Sequence, residues 1–154
     1  MVKPLFKILD VDFWRHSGRL GVTEPSLCLH HAIAGMGAPI LVALNELQAE
    51  SPSRRTLTFA KCSRTSPLSS LRLRLVPKGP DLQIMNIRCD NDTATIEMTS
   101  AGCSLLVNAV IRWLEGDEDF GVSSRDADLK PNWLGIRDLE SGELWFWGPE
   151  YAGA

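Results

Sequence analysis

Residues 93–116, TATIEMTSAGCSLLVNAVIRWLEG, change their apolar period partway along, and this change decides the fold class. In the first six residues polar and apolar side chains alternate, which is the pattern of a strand with one solvated face. The following apolar residues recur at helical spacing, and Gly116 supplies a left-handed stop after the last of them. We therefore predict a strand followed directly by a helix over residues 100–115, with Thr99 or Ser100 as its N-cap.

The same alternation extends upstream of this segment. Residues 56–61 and 71–76 alternate polar with apolar side chains, and residues 82–89 are joined to the strand at 93–98 through the turn-forming triplet at 90–92. We therefore predict that residues 54–98 form antiparallel strands.

Residues 1–50 are predicted to be helix-rich. Pro39 precedes a helical apolar pattern, and a short helix is expected over residues 25–34, ahead of Gly35 and Gly37. Residues 5–13 fit a strand buried on both faces.

A C-terminal hairpin is predicted over residues 133–147. A chain of 154 residues can bury a core without metals or cross-links. We therefore expect a single α+β domain, residues 1–154, mainly an antiparallel sheet of five to seven strands with two or three helices packed on one face.

The composition excludes several classes of protein. The chain is 44% hydrophobic and 23% charged with a net charge of −3, which rules out collagen-like, coiled-coil and wholly disordered chains. The four cysteines contain no CxxC pair, so we expect buried reduced thiols, no metal site and no cofactor. Asp10 and Asp12 interrupt the N-terminal apolar run before an export signal can form, and the long uncharged stretch at residues 25–44 contains prolines and glycines. We expect a cytoplasmic protein with no membrane contact.

The small net charge hides a strong asymmetry. Residues 1–80 hold 11 basic and 5 acidic side chains, whereas residues 81–154 hold 5 basic and 14 acidic ones. An acidic segment follows the predicted helix at 100–115, and complementary charge steers association between proteins. We therefore predict a docking surface for a protein partner of basic character, made of Asp117, Glu118, Asp119, Asp126 and Asp128.

Two tryptophans near the C-terminus have two interpretations. Trp145 and Trp147 share one face of a strand, while Leu144 and Phe146 share the other. Either the tryptophans are covered by another layer, or they form an exposed aromatic anchor for the same partner. The sequence carries no indication of an oligomeric state.

A basic segment offers an alternative function. Residues 51–80 hold seven basic residues and no acidic one, and Arg72 and Arg74 project from the same side of one strand. Nucleic-acid binding through these arginines is less favoured, because the one aromatic residue of the segment, Phe59, occupies the apolar phase of its strand and leaves no platform for base stacking.

A small enzyme is the other alternative, with its site near His30, His31 and the loop from Gly35 to Gly37. Adjacent histidines point to opposite faces of a strand and rarely serve one site. Cys103 lies in the first turn of the predicted helix, where a thiolate would be stabilised, but it also begins the apolar stripe that packs into the core.

Residues 94–148 resemble small bacterial immunity proteins of polymorphic toxin systems. The resemblance rests on the strand at 95–98, on a helix that carries Gly102, Leu105, Leu106 and Ala109, and on the closing strand SGELWF at 141–146. It implies a non-catalytic bacterial protein that binds and blocks a cognate toxin. It also implies the use of acidic residues if that toxin is a basic nuclease. We therefore expect a non-enzymatic protein-binding module.

Overall fold

The structure is a computed structural model that describes residues 6–8, 10–16, 26–31, 37–49, 54–60, 67–77, 85–116, 120–123, 129–131 and 143–147. These residues form two helices and two mixed five-stranded sheets, which confirms the α+β class. The expectation of a single sheet is wrong. The elements are β1 (Phe6–Ile8), β2 (Val11–His16), β3 (Ser26–His31), α1 (Ala38–Ala49), β4 (Arg54–Phe59), β5 (Ser70–Leu75), β6 (Met85–Asp90), β7 (Thr93–Met98), α2 (Ser100–Leu114), β8 (Phe120–Ser123), β9 (Leu129–Pro131) and β10 (Glu143–Trp147).

The first sheet has the strand order β1-β4-β5-β7-β6. Strands β4–β5 and β6–β7 pair antiparallel as predicted, but β5 pairs parallel with β7, and β1 pairs parallel with β4. The residues 54–98 are therefore not purely antiparallel. Alternate residues such as Leu57, Leu71 and Ile96 are buried on one face, which α1 and α2 cover. Both helices lie on the same side of this sheet, as the sequence predicts.

Helix α2 begins and ends where its capping residues predict. The Thr99 side chain accepts a hydrogen bond from the backbone N–H of Gly102 at 3.2 Å, which identifies Thr99 as the N-cap. Gly116 has φ +109° just after the helix, so it provides the predicted left-handed stop. Helix α1 likewise contains Pro39 in its first turn.

The second sheet has the strand order β2-β3-β10-β8-β9. The helix predicted over residues 25–34 is wrong, because Ser26–His31 forms strand β3. Its Leu27 and Leu29 face one side of the sheet and Cys28 faces the other, and all three are buried. A strand covered on both faces has no polar alternation, so its short apolar run reads equally well as a helix.

Within the described part of residues 1–50, three strands (β1, β2 and β3) accompany one helix (α1), so this described part is not mainly helical. Ile8 pairs with Phe59 in the first sheet, and Val11, three residues later, pairs with His31 in the second. The single strand predicted over residues 5–13 is therefore two strands that belong to different sheets. Strand β10 lies between β3 and β8. The predicted hairpin partner of β10, residues 133–137, lies outside the described residues.

Helix α2 also packs against the second sheet. The indole Nε1 of Trp113 donates a hydrogen bond to the backbone carbonyl of Trp147 at 3.0 Å, and its ring lies 5.3 Å from the Phe146 ring, centroid to centroid. The main core therefore contains residues from both sheets and both helices. Within the part of the chain that the structure describes, no helix is long and apolar enough to cross a membrane.

Candidate functional site

The face of the first sheet that points away from the helices is polar, and it is called here the outer face of the first sheet. It results from the polar and apolar alternation of β4 to β7, because the apolar set is buried against α1 and α2. Its side chains are Lys7, Arg54, Thr56, Thr58, Ser70, Arg72, Arg74, Asn86, Arg88, Asp90, Thr93, Thr95 and Glu97.

Charge on this face is mainly positive. Five side chains are basic (Lys7, Arg54, Arg72, Arg74 and Arg88), and all five are exposed. Two are acidic, Asp90 and Glu97, and the others are neutral. The face therefore presents an excess of positive charge in a protein whose net charge is −3.

Strand register places the arginines in a regular array. Arg54 lies directly opposite Arg74 across the β4–β5 pair, and Arg72 lies opposite Thr56 one row further along. Arg72 also lies beside Thr95 on β7, and Arg88 faces Thr95 from the other side. One row of side chains across four strands therefore consists of Thr56, Arg72, Thr95 and Arg88, in the strand order β4, β5, β7, β6.

Glu97 holds two of the arginines in place. Its Oε2 accepts from Nη1 of Arg74 at 3.3 Å, and its Oε1 lies 3.0 Å from Nη2 of Arg88. The Glu97 side chain is 19% exposed, whereas those of Arg74 and Arg88 are 55% and 61% exposed. The Glu97 carboxylate is thus engaged in ion pairs with side chains of the same sheet, whereas the guanidinium groups of Arg74 and Arg88 remain accessible to solvent.

One end of the face is closed by a polar turn. The Ser69 hydroxyl donates to Oδ2 of Asp92 at 2.7 Å, and the hydroxyls of Ser70 and Thr93 lie 2.9 Å apart. Asn91, with φ +56°, makes the turn between β6 and β7. These hydrogen bonds link the start of β5 to the β6–β7 turn and to the start of β7.

Arg72 and Arg74 lie on the same side of one strand, as the sequence predicts. Their neighbours Arg54, Arg88 and Glu97 are not identified as part of this face by the sequence pattern. Alternation alone places Arg88 and Glu97 on the solvated face of their strands. It does not say which strands are neighbours, and the parallel pairing of β5 with β7 brings Glu97 to Arg74.

The residues predicted to form an acidic docking surface, Asp117, Glu118, Asp119, Asp126 and Asp128, lie outside the described residues. That surface stays a prediction.

Trp145 and Trp147 are buried, which corresponds to the first of their two predicted arrangements, a face covered by other residues. Trp145 is 4% exposed and Trp147 is 0% exposed. Their rings stack with centroids 5.6 Å apart, and they form a separate apolar cluster with Trp14 and Cys28 on the outer face of the second sheet. Neither ring is therefore displayed as an interface anchor in this structure.

The two histidines lie on opposite faces of β3. The Nδ1 of His30 is 3.9 Å from Oδ2 of Asp12, on the face that also carries the tryptophan cluster. His31 is 1% exposed, and its ring centroid lies 4.4 Å from that of Trp113 on the core side. The structure does not bring the histidines into one site, so the enzyme alternative loses its paired imidazoles.

The glycine loop offers no support for that alternative either. Gly35 lies outside the described residues. Gly37, with φ +96°, packs against Trp113, whose Cζ3 would lie 2.8 Å from an added Cβ. The structure therefore gives Gly37 a packing role beneath a core side chain.

Cys103 is a core residue. Its side chain is buried, and Sγ lies 3.7 Å from the backbone carbonyl of Leu44, to which it donates. Burial raises the pKa of the Cys103 thiol to about 11, which opposes the thiolate expected at a reactive first-turn cysteine. Cys28 is buried and Cys89 is partly buried. In the described ranges no group of three His, Cys, Asp or Glu side chains is arranged to hold a metal ion.

Comparison with known proteins gives no match: no family model, no curated protein and no solved structure is significantly similar to the chain.

Proposed function

We propose that this protein is a non-enzymatic binding module that holds an acidic surface of a partner protein against the outer face of the first sheet. The observation that carries the proposal is the display of five exposed basic side chains, against two acidic ones, on the solvated face of one sheet. Complementary charge of this kind accelerates association and orients the partner. Arginine is also enriched at protein interfaces.

A protein partner accounts for the face better than a nucleic acid does. The described residues place no aromatic side chain on it, so bases would find no stacking platform. Glu97 lies among the arginines, where it would repel a continuous phosphate backbone. A protein surface can instead place its carboxylates over the arginines and a neutral group over Glu97.

This proposal reverses the partner's charge relative to the sequence prediction. The sequence singles out an acidic surface and a basic partner, whereas the described residues support a basic surface and an acidic partner. The resemblance to immunity proteins supports a toxin as the partner class, in the bacterial cytosol. In that case the blocked toxin would present an acidic surface to this face.

The test is binding to an acidic polymer, measured by fluorescence anisotropy with labelled poly-L-glutamate at low ionic strength. We expect wild-type protein to bind, and Arg72→Glu to weaken binding about tenfold through lost attraction and new repulsion. Arg15→Glu is the matched control, because Arg15 is exposed on β2 of the second sheet and the charge change is the same. It should weaken binding by less than about threefold.

Labelled oligothymidylate provides the competing result. Tighter binding of the oligonucleotide than of polyglutamate would overturn the protein-partner proposal and favour nucleic acid. Equal losses for Arg72→Glu and Arg15→Glu would show that net charge, rather than this face, governs binding. Circular dichroism of each variant verifies that it is folded.

A further inference from the structure

Three arginines on the outer face of the first sheet are mutual neighbours, and we call them the arginine cluster: Arg54, Arg72 and Arg74. Arg54 is directly opposite Arg74 in the β4–β5 register, and Arg72 is the diagonal neighbour of Arg54 on the same face. Directly opposed residues lie about 5 Å apart at Cβ and diagonal ones about 7 Å. Like charges placed this way destabilise a sheet.

The described acids do not neutralise this cluster. Glu97 pairs with Arg74 but divides its two oxygens between Arg74 and Arg88. Within the described ranges, neither Arg54 nor Arg72 has an ion-pair partner. The opposing positions on neighbouring strands are neutral, since Arg72 lies between Thr56 on β4 and Thr95 on β7. The fold therefore keeps two uncompensated guanidinium groups beside a third.

The spacing along β5 gives these groups a geometry that a ligand can match. Arg72 and Arg74 are two residues apart on one strand, so their Cα atoms are separated by about 6.6 Å along it. An extended peptide has the same repeat, so acidic residues at alternate positions present carboxylates at that spacing. The planar guanidinium group can donate two parallel hydrogen bonds to the oxygens of one carboxylate.

The geometry points to the arginine cluster as the recognition site for an extended acidic segment of the partner, with carboxylates at alternate positions lying along β5. This inference rests on the proposed function and specifies the partner's chemistry. Glu97 is a positioning residue, because it orients Arg74 while the partner engages Arg54 and Arg72. Binding then supplies the negative charge that the sheet lacks.

The experiment compares two labelled peptides of identical composition, one with glutamate at alternate positions and one with its glutamates in a block. Wild-type protein should bind the alternating peptide about fivefold more tightly or better. Arg54→Thr and Arg72→Thr should each weaken its binding about tenfold, because a charge-assisted hydrogen bond is lost. Lys7→Thr removes a basic side chain of the same face that lies outside the cluster, at the β1 edge, so it should weaken binding by less than about threefold and by clearly less than Arg54→Thr does.

A second measurement, of thermal stability without any ligand, tests the charge repulsion within the arginine cluster. If Arg54 repels its neighbours, Arg54→Thr should raise the thermal midpoint by about 1–3 °C in about 0.01 M salt, and the gain should disappear in about 1 M salt. Lys7→Thr should show no such salt-dependent gain. A variant that is more stable and yet binds less is the signature of a recognition site that carries a stability cost.

The outcomes separate the two proposals. Equal affinity for both peptides, with Arg54→Thr and Lys7→Thr alike in their effects, would overturn the arginine cluster and leave the basic face as the interface. Failure of the wild-type protein to bind either peptide or polyglutamate would overturn both proposals. An unchanged or lower thermal midpoint of Arg54→Thr in low salt would contradict the repulsion on which the cluster rests.

Discussion

The outer faces of the two sheets differ in composition and in exposure. The first carries arginines and threonines, and its basic side chains are exposed. The second carries Trp14, Cys28, Trp145 and Trp147, each at most 4% exposed. Register aligns Trp14, Cys28, Trp145 and Gly121 in one row across four strands. One sheet therefore contributes a single face to the core, whereas the other is packed on both.

This difference separates the contributions of the two sheets to stability and to binding. Removing buried apolar side chains leaves cavities and costs free energy, whereas exposed side chains on a strand contribute little to folding. We therefore expect substitutions on the second sheet to act on stability and substitutions on the first to act on association.

The largest expected effect is that of Trp147→Ala. Trp147 is fully buried and stacks on Trp145, so the substitution should lower the free energy of unfolding by about 3–5 kcal/mol, measured by urea denaturation. Arg88→Ala on the first sheet removes an exposed ion pair with Glu97 and should cost about 1 kcal/mol or less. Similar losses for the two variants would contradict the contrast between the faces.

A smaller effect is expected for Gly121→Ala on β8. An added Cβ would lie 2.7 Å from Cε2 of Trp145, so the indole must shift, and the free energy of unfolding should fall by about 1–3 kcal/mol. The cost should shrink when Trp145 is replaced by Phe, because the ring that meets the Cβ is then smaller. Additive effects in this double-mutant cycle would show that the two residues do not contact each other.

The smallest effect concerns the buried thiol of Cys103 and depends on pH. The pKa of Cys103 is about 11 in the folded state and lies near 9.0 when the thiol is exposed, so the unfolded chain loses this proton first. The stabilisation is complete below pH 9 and is lost as pH rises towards 11. The free energy of unfolding should therefore fall more steeply over this interval in wild-type protein than in Cys103→Ala. Parallel pH profiles would exclude Cys103 as the cause.

Local sequence patterns predicted the parts of the fold that depend on neighbours along the chain. Helix α2 needs a cap, an apolar stripe and a stop, and Thr99 and Gly116 supply the first and last within a few residues of the stripe. Strands β4, β5 and β7 show their solvated face directly, because half of their side chains are polar. The sequence therefore predicted two residues of the candidate site, Arg72 and Arg74, on the solvated side of one strand.

The remainder depends on contacts between residues far apart in the chain. Strand β3 was predicted as a helix because both of its faces are covered, which removes the alternation that marks a strand. Arg54 became part of the candidate site only through its register opposite Arg74, and Glu97 through a parallel pairing that places β7 between β5 and β6.

Residue order alone therefore establishes the α+β class, helix α2 and the solvated side of the first sheet, because hydrophobic period, capping and turn chemistry act over a few residues. Tertiary structure decides which strands are neighbours. It therefore places Arg54 beside Arg72 and Arg74, and it packs His30 and His31 against different parts of the protein. It also decides that Trp145 and Trp147 are buried. Strand pairing and burial are long-range properties, since each depends on which distant segment the fold brings alongside.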